Sequence, residues 1–187
     1  MNPLEATLIE LAETFSRLRV RYMVIGGLAS LQWGRARLTY DVDVTVAVDE
    51  PALEGLLAAL APRIEPLLPD AMAFAREASV VPMESSVGVR VDLVIAALDY
   101  ELEAISRAAV LDIQGHSVRF ATAEDLILHK IVSERARDAE DIEGIVARQR
   151  GKLDLDYLRP RIASLAQALE RPQMLAEFER LVRGAGA

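Results

Sequence analysis

Two aspartates, Asp41 and Asp43, stand two residues apart in a segment that alternates between polar and apolar side chains. Because successive side chains of a strand point to opposite faces, both carboxylates project from the same face. Two carboxylates held together repel one another, and a bound divalent cation removes that cost. Such cations can neutralise a nucleoside triphosphate and position an attacking oxygen. The pattern therefore predicts metal-dependent phosphoryl or nucleotidyl transfer.

A third acid accompanies this pair. Asp92 is the one acidic residue of the stretch 87–95, which alternates in its first half and is mostly apolar. On a neighbouring strand it would complete a ligand set of Asp41, Asp43 and Asp92 for Mg²⁺ or Mn²⁺. The competing interpretation is a strand face that is merely exposed, which an Asp-x-Asp pattern taken singly more often is.

A glycine turn upstream supplies the other half of the predicted site. Gly26 and Gly27 follow a short apolar run, and their lack of side chains lets backbone N–H groups approach phosphate oxygens. Ser30, in the first turn of the following helix, adds a hydroxyl donor. Arg37 is placed to hold a phosphate or the incoming acceptor. Thr39 either binds a phosphate oxygen or caps the turn, and the order of these motifs is more specific than any one of them.

The elements that must position these residues follow from hydrophobic periodicity. Apolar spacing predicts a helix over residues 4–18, strands over 22–25 and 41–48, and a short helix over 28–33 between the two strands. A proline-punctuated connection runs to about residue 69. The later predictions are a helix over 50–60 capped by Asp49, a strand over 87–95, a helix over 100–108, a hairpin over 110–120, a helix capped by Thr122 and ending at 131, and helices after 138. This order predicts an α/β (α+β) fold with a mixed sheet and a helical C-terminal portion.

The composition limits the class of protein. The chain has 187 residues, of which 52% are hydrophobic, which suits one globular domain. No apolar run reaches the roughly 18 residues needed to cross a bilayer, and the N-terminus lacks a basic leader, so we expect a cytoplasmic protein without a membrane partner. With no cysteine and two histidines, metal chemistry must rely on carboxylates.

The charge distribution limits the partners. A net charge of −8 argues against an extended surface for duplex nucleic acid, which needs many clustered cations. Two local basic clusters remain, Arg17 with Arg19 and Arg21, and Arg35 with Arg37. They leave room for contact with a short nucleic-acid end.

The order of these motifs resembles the polymerase-β-like nucleotidyltransferase superfamily. The segments VIGGLAS, GRARLTYDVDV and VRVDLV stand where such proteins carry their glycine motif, paired acids and third acid. The resemblance covers roughly the first half of the chain. It implies a nucleotidyltransferase-type mixed sheet flanked by helices, with residues 1–121 as the core and 122–187 as a helical portion packed on it.

Two later motifs narrow the resemblance. The segments AEDLILHK and RDAEDI are similar to the Lys and Arg-Asp-x-x-Asp motifs of AbiEii/MenT-type toxin nucleotidyltransferases. This resemblance makes Lys130 a catalytic contact to the nucleotide phosphates and Asp141 a further catalytic acid. Whether Asp92 or Asp141 works beside the paired aspartates stays open from the sequence. Without the resemblance, Lys130 is equally a lysine that reaches from an apolar face to solvent, and Asp141 is part of an exposed, salt-bridged helix face.

The predicted activity is the metal-dependent transfer of a nucleoside monophosphate from an NTP to an acceptor, with release of pyrophosphate. The toxin relatives imply a tRNA end as the acceptor, and a protein acceptor fits the acidic chain equally well. The alternatives are an antitoxin-like enzyme that modifies a partner toxin, a small-molecule nucleotidyltransferase, and a catalytically silent module that binds a nucleotide or a metal. A role in a toxin–antitoxin pair would add a cognate toxin or antitoxin as a protein partner.

Overall fold

The structure, a computed structural model, describes residues 2–61 and 63–184. The elements in chain order are α1 (Pro3–Leu18), β1 (Arg21–Val24), α2 (Gly26–Trp33), β2 (Asp41–Ala47), α3 (Glu50–Leu60), β3 (Ile64–Pro66), α4 (Ala71–Ala78), β4 (Val80–Ser85), β5 (Arg90–Ile95), α5 (Asp99–Arg107), β6 (Ala109–Ile113), β7 (His116–Phe120), α6 (Ala123–Ile131), α7 (Ala136–Arg148), α8 (Leu155–Ala168) and α9 (Met174–Gly184). The predicted α/β (α+β) class is confirmed. Within these ranges, no helix is long and apolar enough to cross a membrane.

The described strands form one mixed sheet in the order β3-β4-β5-β2-β1-β7-β6. β2 runs parallel to β5, and β1 runs parallel to β7, whereas the other neighbouring strands are antiparallel. The alternating strand β2 therefore lies in the interior of the sheet. Pairing with β1 on one side and β5 on the other sets the register of β2 and therefore which residues lie beside its side chains.

The two faces of β2 have different surroundings. Val46 is fully buried and pairs with Tyr22 of β1, whose ring lies 4.7 Å from that of Phe15 in α1. Helix α1 therefore covers the valine face of the strand. Because side chains alternate along a strand, Asp41 and Asp43 project from the opposite face.

The chain divides into two compact units. The first unit runs to Leu28 and resumes with Leu38–Ala121, so it contains the whole sheet. The second unit contains Ala29–Arg37 and the chain from Thr122 onward, and therefore most of α2 together with α6 to α9. The boundary between the units falls inside α2, after its first turn.

Helices begin where the capping residues predict. The side chain of Asp49 accepts a hydrogen bond from the amide of Ala52 at 3.0 Å, and Thr122 accepts one from the amide of Asp125 at 3.1 Å. Each bond satisfies an amide that has no partner within its helix. Each of these capping bonds joins residues only three positions apart, which is why the sequence alone predicts where the helices begin.

The elements β3, α4 and β4 lie where the sequence indicated only a proline-punctuated connection and an unassigned stretch. Pro82 lies inside β4 and Pro66 ends β3, although strands disfavour proline because it cannot donate a hydrogen bond to the ladder. The β4 strand nevertheless pairs with β5 along five residue positions, from Val80 to Glu84. Pairing with a neighbour has overridden the local preference of the prolines.

Two predicted boundaries are wrong by a few residues. The strand predicted over 87–95 begins at Arg90, because Gly88 adopts a φ of +77° in the turn after Ser85. The pair Gly26 and Gly27 was predicted to form a turn before the helix. Both residues instead belong to the first turn of α2.

Candidate active site

The three predicted metal-binding acids are neighbours on the sheet. The register of β2 and β5 places Asp43 directly beside Asp92, and Asp41 beside Arg90. Adjacent strands lie about 4.8 Å apart, so Asp43 and Asp92 stand side by side on one face. Asp41 precedes them by two residues on that same face. The parallel pairing of two strands thus gathers carboxylates that are about fifty positions apart in the chain.

Gly26 lies directly against Asp43. Its φ is +62°, and a Cβ atom added there would lie 1.8 Å from Oδ2 of Asp43. The amide of Ile25 donates to the carbonyl of Asp43 at 2.9 Å, which holds the end of β1 against this point of β2. Only glycine fits this close approach, and it brings the positive end of α2 to the Asp43 carboxylate.

Neighbouring side chains contact the other two acids. The hydroxyl of Thr39 donates to Oδ1 of Asp41 at 2.7 Å, and Nε of Arg90 donates to Oδ1 of Asp92 at 3.3 Å. The Arg90 side chain is 60% exposed, so this ion pair is weak. The short Thr39 bond orients the Asp41 carboxylate at the start of β2.

The arrangement fits a Mg²⁺ site that substrate completes. In the described ranges, no three His, Cys, Asp or Glu side chains form a group that could hold a metal ion by themselves. Mg²⁺ is usually bound by one or two protein carboxylates together with substrate phosphates rather than by an all-protein cage. Asp43 and Asp92 side by side, with Asp41 on the same face, supply oxygen ligands of that kind. Their role as metal ligands stays a prediction.

A second cluster, in the unit that contains α6 and α7, surrounds Lys130. The Lys130 side chain is 5% exposed, and its ammonium lies 2.8 Å from Oδ1 of Asp138 and 2.7 Å from Oδ2 of Asp141. A buried ammonium needs such anionic partners, because desolvation of an unpaired charge is costly. Lys130 is therefore a paired, buried cation rather than one that reaches to solvent.

Asp141 is the centre of this cluster. The guanidinium of Arg37 donates to Oδ1 at 3.1 Å and to Oδ2 at 3.3 Å, and the hydroxyl of Ser30 donates to Oδ2 at 3.1 Å. With Lys130 included, the carboxylate accepts from three different side chains and is 8% exposed. Asp141 is thus not part of an exposed helix face. Its lone pairs are used within its own unit by the same residues that the sequence predicted to bind nucleotide.

Asp138 is a member of this cluster that the list of predicted site residues omitted. It lies three residues before Asp141 on α7, so both carboxylates face the same side of the helix. Burial raises the pKa of Asp138, but hydrogen bonds from Lys130 and Ser133 outweigh it and hold the pKa below the ordinary value. The spacing of the two acids in the Arg-Asp-x-x-Asp motif was the signal that pointed to it.

The end of α2 is held by α7 within the same unit. The guanidinium of Arg148 donates to the carbonyls of Leu31 and Gly34 at 3.0 and 2.9 Å, which satisfies carbonyls at the C-terminal end of α2. A Cβ atom added at Gly144 would lie 3.1 Å from the backbone nitrogen of Arg35. This close packing places the segment that carries Arg37 beside Asp141.

Comparison with known families decides the class. The model of a family described as nucleotidyltransferases of unknown function, DUF6036, matches residues 4–180. The chain belongs to this family. DUF6036 membership and the fold both support the resemblance to the polymerase-β-like nucleotidyltransferase superfamily. No curated protein matches the sequence.

Solved structures of nucleotidyltransferases share the fold of this DUF6036 chain. An antigenic nucleotidyltransferase-like protein from Paracoccidioides brasiliensis is 18% identical with a TM-score of 0.57, covering 94% of this chain and 91% of its own. The antibiotic-resistance factor ANT(2'')-Ia is 19% identical with a TM-score of 0.55, covering 89% and 97%. The lincosamide antibiotic adenylyltransferase LnuA is 15% identical with a TM-score of 0.51, covering 78% and 98%. At these identities the likeness concerns the fold alone, and the AbiEii/MenT branch stays a prediction.

Proposed function

We propose that this protein transfers a nucleoside monophosphate from an NTP to an acceptor hydroxyl and releases pyrophosphate. The observation that carries the proposal is the register that sets Asp43 beside Asp92, with Gly26 pressed against Asp43 where no side chain fits. Adjacent carboxylates repel one another, and a cation bound between them would offset that repulsion. Membership in a nucleotidyltransferase family supports the same reaction.

The roles follow from the placement of each residue. Asp41, Asp43 and Asp92 hold Mg²⁺ or Mn²⁺, which supplies neutralisation of the triphosphate charge. The backbone of Gly26 and Gly27 at the start of α2 offers amide donors to phosphate oxygens. These residues belong to the unit that contains the sheet.

Lys130 and Asp141 have a positioning role in this proposal. Asp141 holds the Lys130 ammonium and the Arg37 guanidinium in fixed directions, because both cations donate to the same carboxylate. Fixed cations cost little reorganisation when charge develops in a reaction. Asp92, rather than Asp141, is then the third acid beside the paired aspartates.

The acceptor class has two candidates. ANT(2'')-Ia and LnuA, which share the fold, are an antibiotic-resistance factor and an antibiotic adenylyltransferase, and they favour a small-molecule acceptor. The motifs around Lys130 favour an RNA end or a protein, as in a toxin of the AbiEii/MenT type or an antitoxin-like enzyme with a cognate partner. The acidic chain fits a small contact with an acceptor in either case.

Incubation with each α-³²P-labelled NTP tests the reaction. Purified protein and Mg²⁺ are combined in turn with total tRNA, with a protein extract and with a panel of aminoglycosides and lincosamides, and EDTA serves as a blank. We expect label from at least one NTP to appear on one acceptor class. Asp43→Asn should abolish the transfer, and Asp99→Asn, which changes an exposed aspartate, should leave it intact.

Binding measurements distinguish an enzyme from a catalytically silent module that only binds a nucleotide or a metal. Calorimetry with the four NTPs in Mg²⁺ compares the wild type with Asp43→Asn. If no acceptor is labelled by the wild type and the variant binds nucleotide as tightly as the wild type, the enzymatic proposal is wrong.

A further inference from the structure

A cavity of about 520 Å³ lies in the unit that contains the sheet, between α1, the start of β1, α5 and the β6-β7 hairpin. Its inner wall includes Phe15 and Ile105, which are at most 1% exposed. Arg19, Arg21 and Arg119 also line it. The cavity thus combines an apolar wall with a cationic rim and is large enough for a ligand of nucleotide size.

The charged residues that line this cavity are positive, whereas the chain as a whole is negatively charged. The net charge is −8, yet no Asp or Glu among the described residues lines the cavity. Within the described part of the chain, none of Arg19, Arg21 and Arg119 forms a salt bridge with a carboxylate. Arg17, in the last turn of α1, is a further exposed cation of this part of the chain. Three guanidinium groups without a carboxylate partner among the described residues therefore line one cavity of an acidic protein.

Hydroxyl groups accompany these cations. Ser16, Ser106 and Ser117 line the same cavity. Serine hydroxyls donate to phosphate oxygens, and guanidinium forks match them in a bidentate manner. Arginines and serines around an apolar wall are the side chains that contact a nucleic-acid backbone without reading its bases.

We propose that this cavity binds the phosphate backbone of a single-stranded polynucleotide that serves as the acceptor strand. The role of this strand as the acceptor rests on the proposed function, whereas its binding to the cavity does not. Charge complementarity selects the occupant, because a polyanion gains from every guanidinium that it neutralises through the release of its counterions.

The distance to the acids sets the length of the strand. Arg21 pairs with Ala47 at the end of β2, whereas Asp41 begins that strand. Six residue steps at 3.3 Å separate the two points by about 20 Å. By the alternation of side chains, Arg21 lies on the same face as Asp43. Phe15 and Tyr22, which also line the cavity, lie on the opposite face. A strand that leaves the cavity must therefore pass Arg21, at the start of β1, to reach the acids. Several nucleotides are needed to span the gap, and a dinucleotide is too short.

The test measures binding without catalysis. A fluorescein-labelled single-stranded RNA of 12 nucleotides is titrated in EDTA without NTP, and its anisotropy is followed at several salt concentrations. We expect Arg21→Gln and Arg119→Gln each to weaken binding roughly tenfold. Each should also lower the slope of log K against log salt by about 0.7. Lys152→Gln, which removes an exposed cation from the other unit, is the control and should change neither quantity.

A kinetic comparison links the cavity to transfer. With a 12-nucleotide acceptor, the arginine variants should raise KM and leave kcat unchanged, whereas transfer to a dinucleotide should not respond. Circular dichroism and the melting temperature should match the wild type, because the changed side chains lie on the rim.

The outcomes separate this inference from the proposed function. Equal RNA affinity in the wild type and the arginine variants overturns the inference. Displacement of the RNA by equal concentrations of pyrophosphate or of polyglutamate overturns it as well, since the site would then serve free phosphate or an acidic polypeptide. If the wild type binds RNA through these arginines but labels no acceptor, the binding inference stands and the proposed transfer fails.

Discussion

At the scale of single residues, the approach of Gly26 to Asp43 is the tightest constraint on the candidate site. Two features require glycine at this position. Its φ is +62°, and an added Cβ atom would lie only 1.8 Å from Oδ2 of Asp43. These two requirements can be separated experimentally. Gly115 has a φ of +86°, but nothing lies within 4 Å of a Cβ atom added there.

Gly26→Ala should therefore affect the site far more than Gly115→Ala. Both variants carry the left-handed strain, which costs roughly 1–2 kcal/mol. Only Gly26→Ala also displaces Asp43, and a shift of an ångström at a catalytic group lowers a rate by about 100-fold. Transfer rates and urea midpoints of the two proteins provide the measurement. Equal rates would show that the contact between Gly26 and Asp43 has no part in catalysis.

The question of the third acid also belongs to this scale. Asp92→Asn should weaken Mn²⁺ binding in the presence of ATP, followed by electron paramagnetic resonance, and leave the unfolding free energy nearly unchanged. Asp141→Asn should do the reverse, because Arg37 loses its carboxylate partner and the buried Lys130 keeps only Asp138. Loss of one partner of a buried pair costs about 3–5 kcal/mol in urea unfolding. If only Asp141→Asn loses Mn²⁺ affinity, then Asp141 and not Asp92 is the third acid of the metal site.

At the scale of elements, the contact between α6 and α7 depends on ion pairs, and it should therefore respond to pH. Asp138 of α7 pairs with Lys130 of α6, and its pKa in the folded protein lies below the ordinary value of 3.8. A carboxyl whose folded pKa is lowered stabilises the fold fully above its unfolded pKa. That stabilisation is lost as the pH falls from about 4 through the folded pKa.

Urea unfolding between pH 7 and pH 2.5 measures this dependence. The wild type should lose stability below pH 4 more steeply than Asp138→Asn, in which the titrating group is absent. Asp156→Asn, at an exposed aspartate of α8, should follow the wild-type curve. Parallel curves for the wild type and Asp138→Asn would contradict the role given to this pair.

At the scale of the whole molecule, the two compact units are interleaved in the chain. Residues 29–37 belong to the second unit, where Ser30 and Arg37 donate to Asp141 and Arg148 donates to Leu31 and Gly34. The division into a core of 1–121 and a C-terminal portion of 122–187 stays a prediction about independent folding. Residues 29–37 bear directly on it.

A fragment of residues 1–121 should be less stable than the full chain. It retains Ser30 and Arg37 but lacks Asp141 and Arg148, so polar groups of α2 and the following segment lose their partners. Urea unfolding followed by circular dichroism should give a lower midpoint and a less cooperative transition than the full chain gives. An unchanged midpoint would show that residues 1–121 fold independently of these contacts.

Local patterns in the sequence were sufficient for several features. The alternation of residues 41–47 located β2 and placed Asp41 and Asp43 on one face, and Asp49 and Thr122 located the starts of helices. These features depend on interactions within a few residues, which any short stretch of sequence contains. The glycine pair was recognised for the same reason, although its residues belong to α2 itself.

Tertiary structure alone decided what surrounds these features. The register of β2 with β5 put Asp92 beside Asp43, and the folding of the second unit brought Asp141 to Ser30 and Arg37 across 111 and 104 positions of the chain. Strand pairing and buried ion pairs between distant segments depend on the whole chain, because the entropy of closing long loops is offset only by many contacts at once. The sequence therefore determined which carboxylates are present and on which face two of them lie. The fold decided that Asp141 pairs with Lys130 and Arg37, while Asp92 stands beside Asp43.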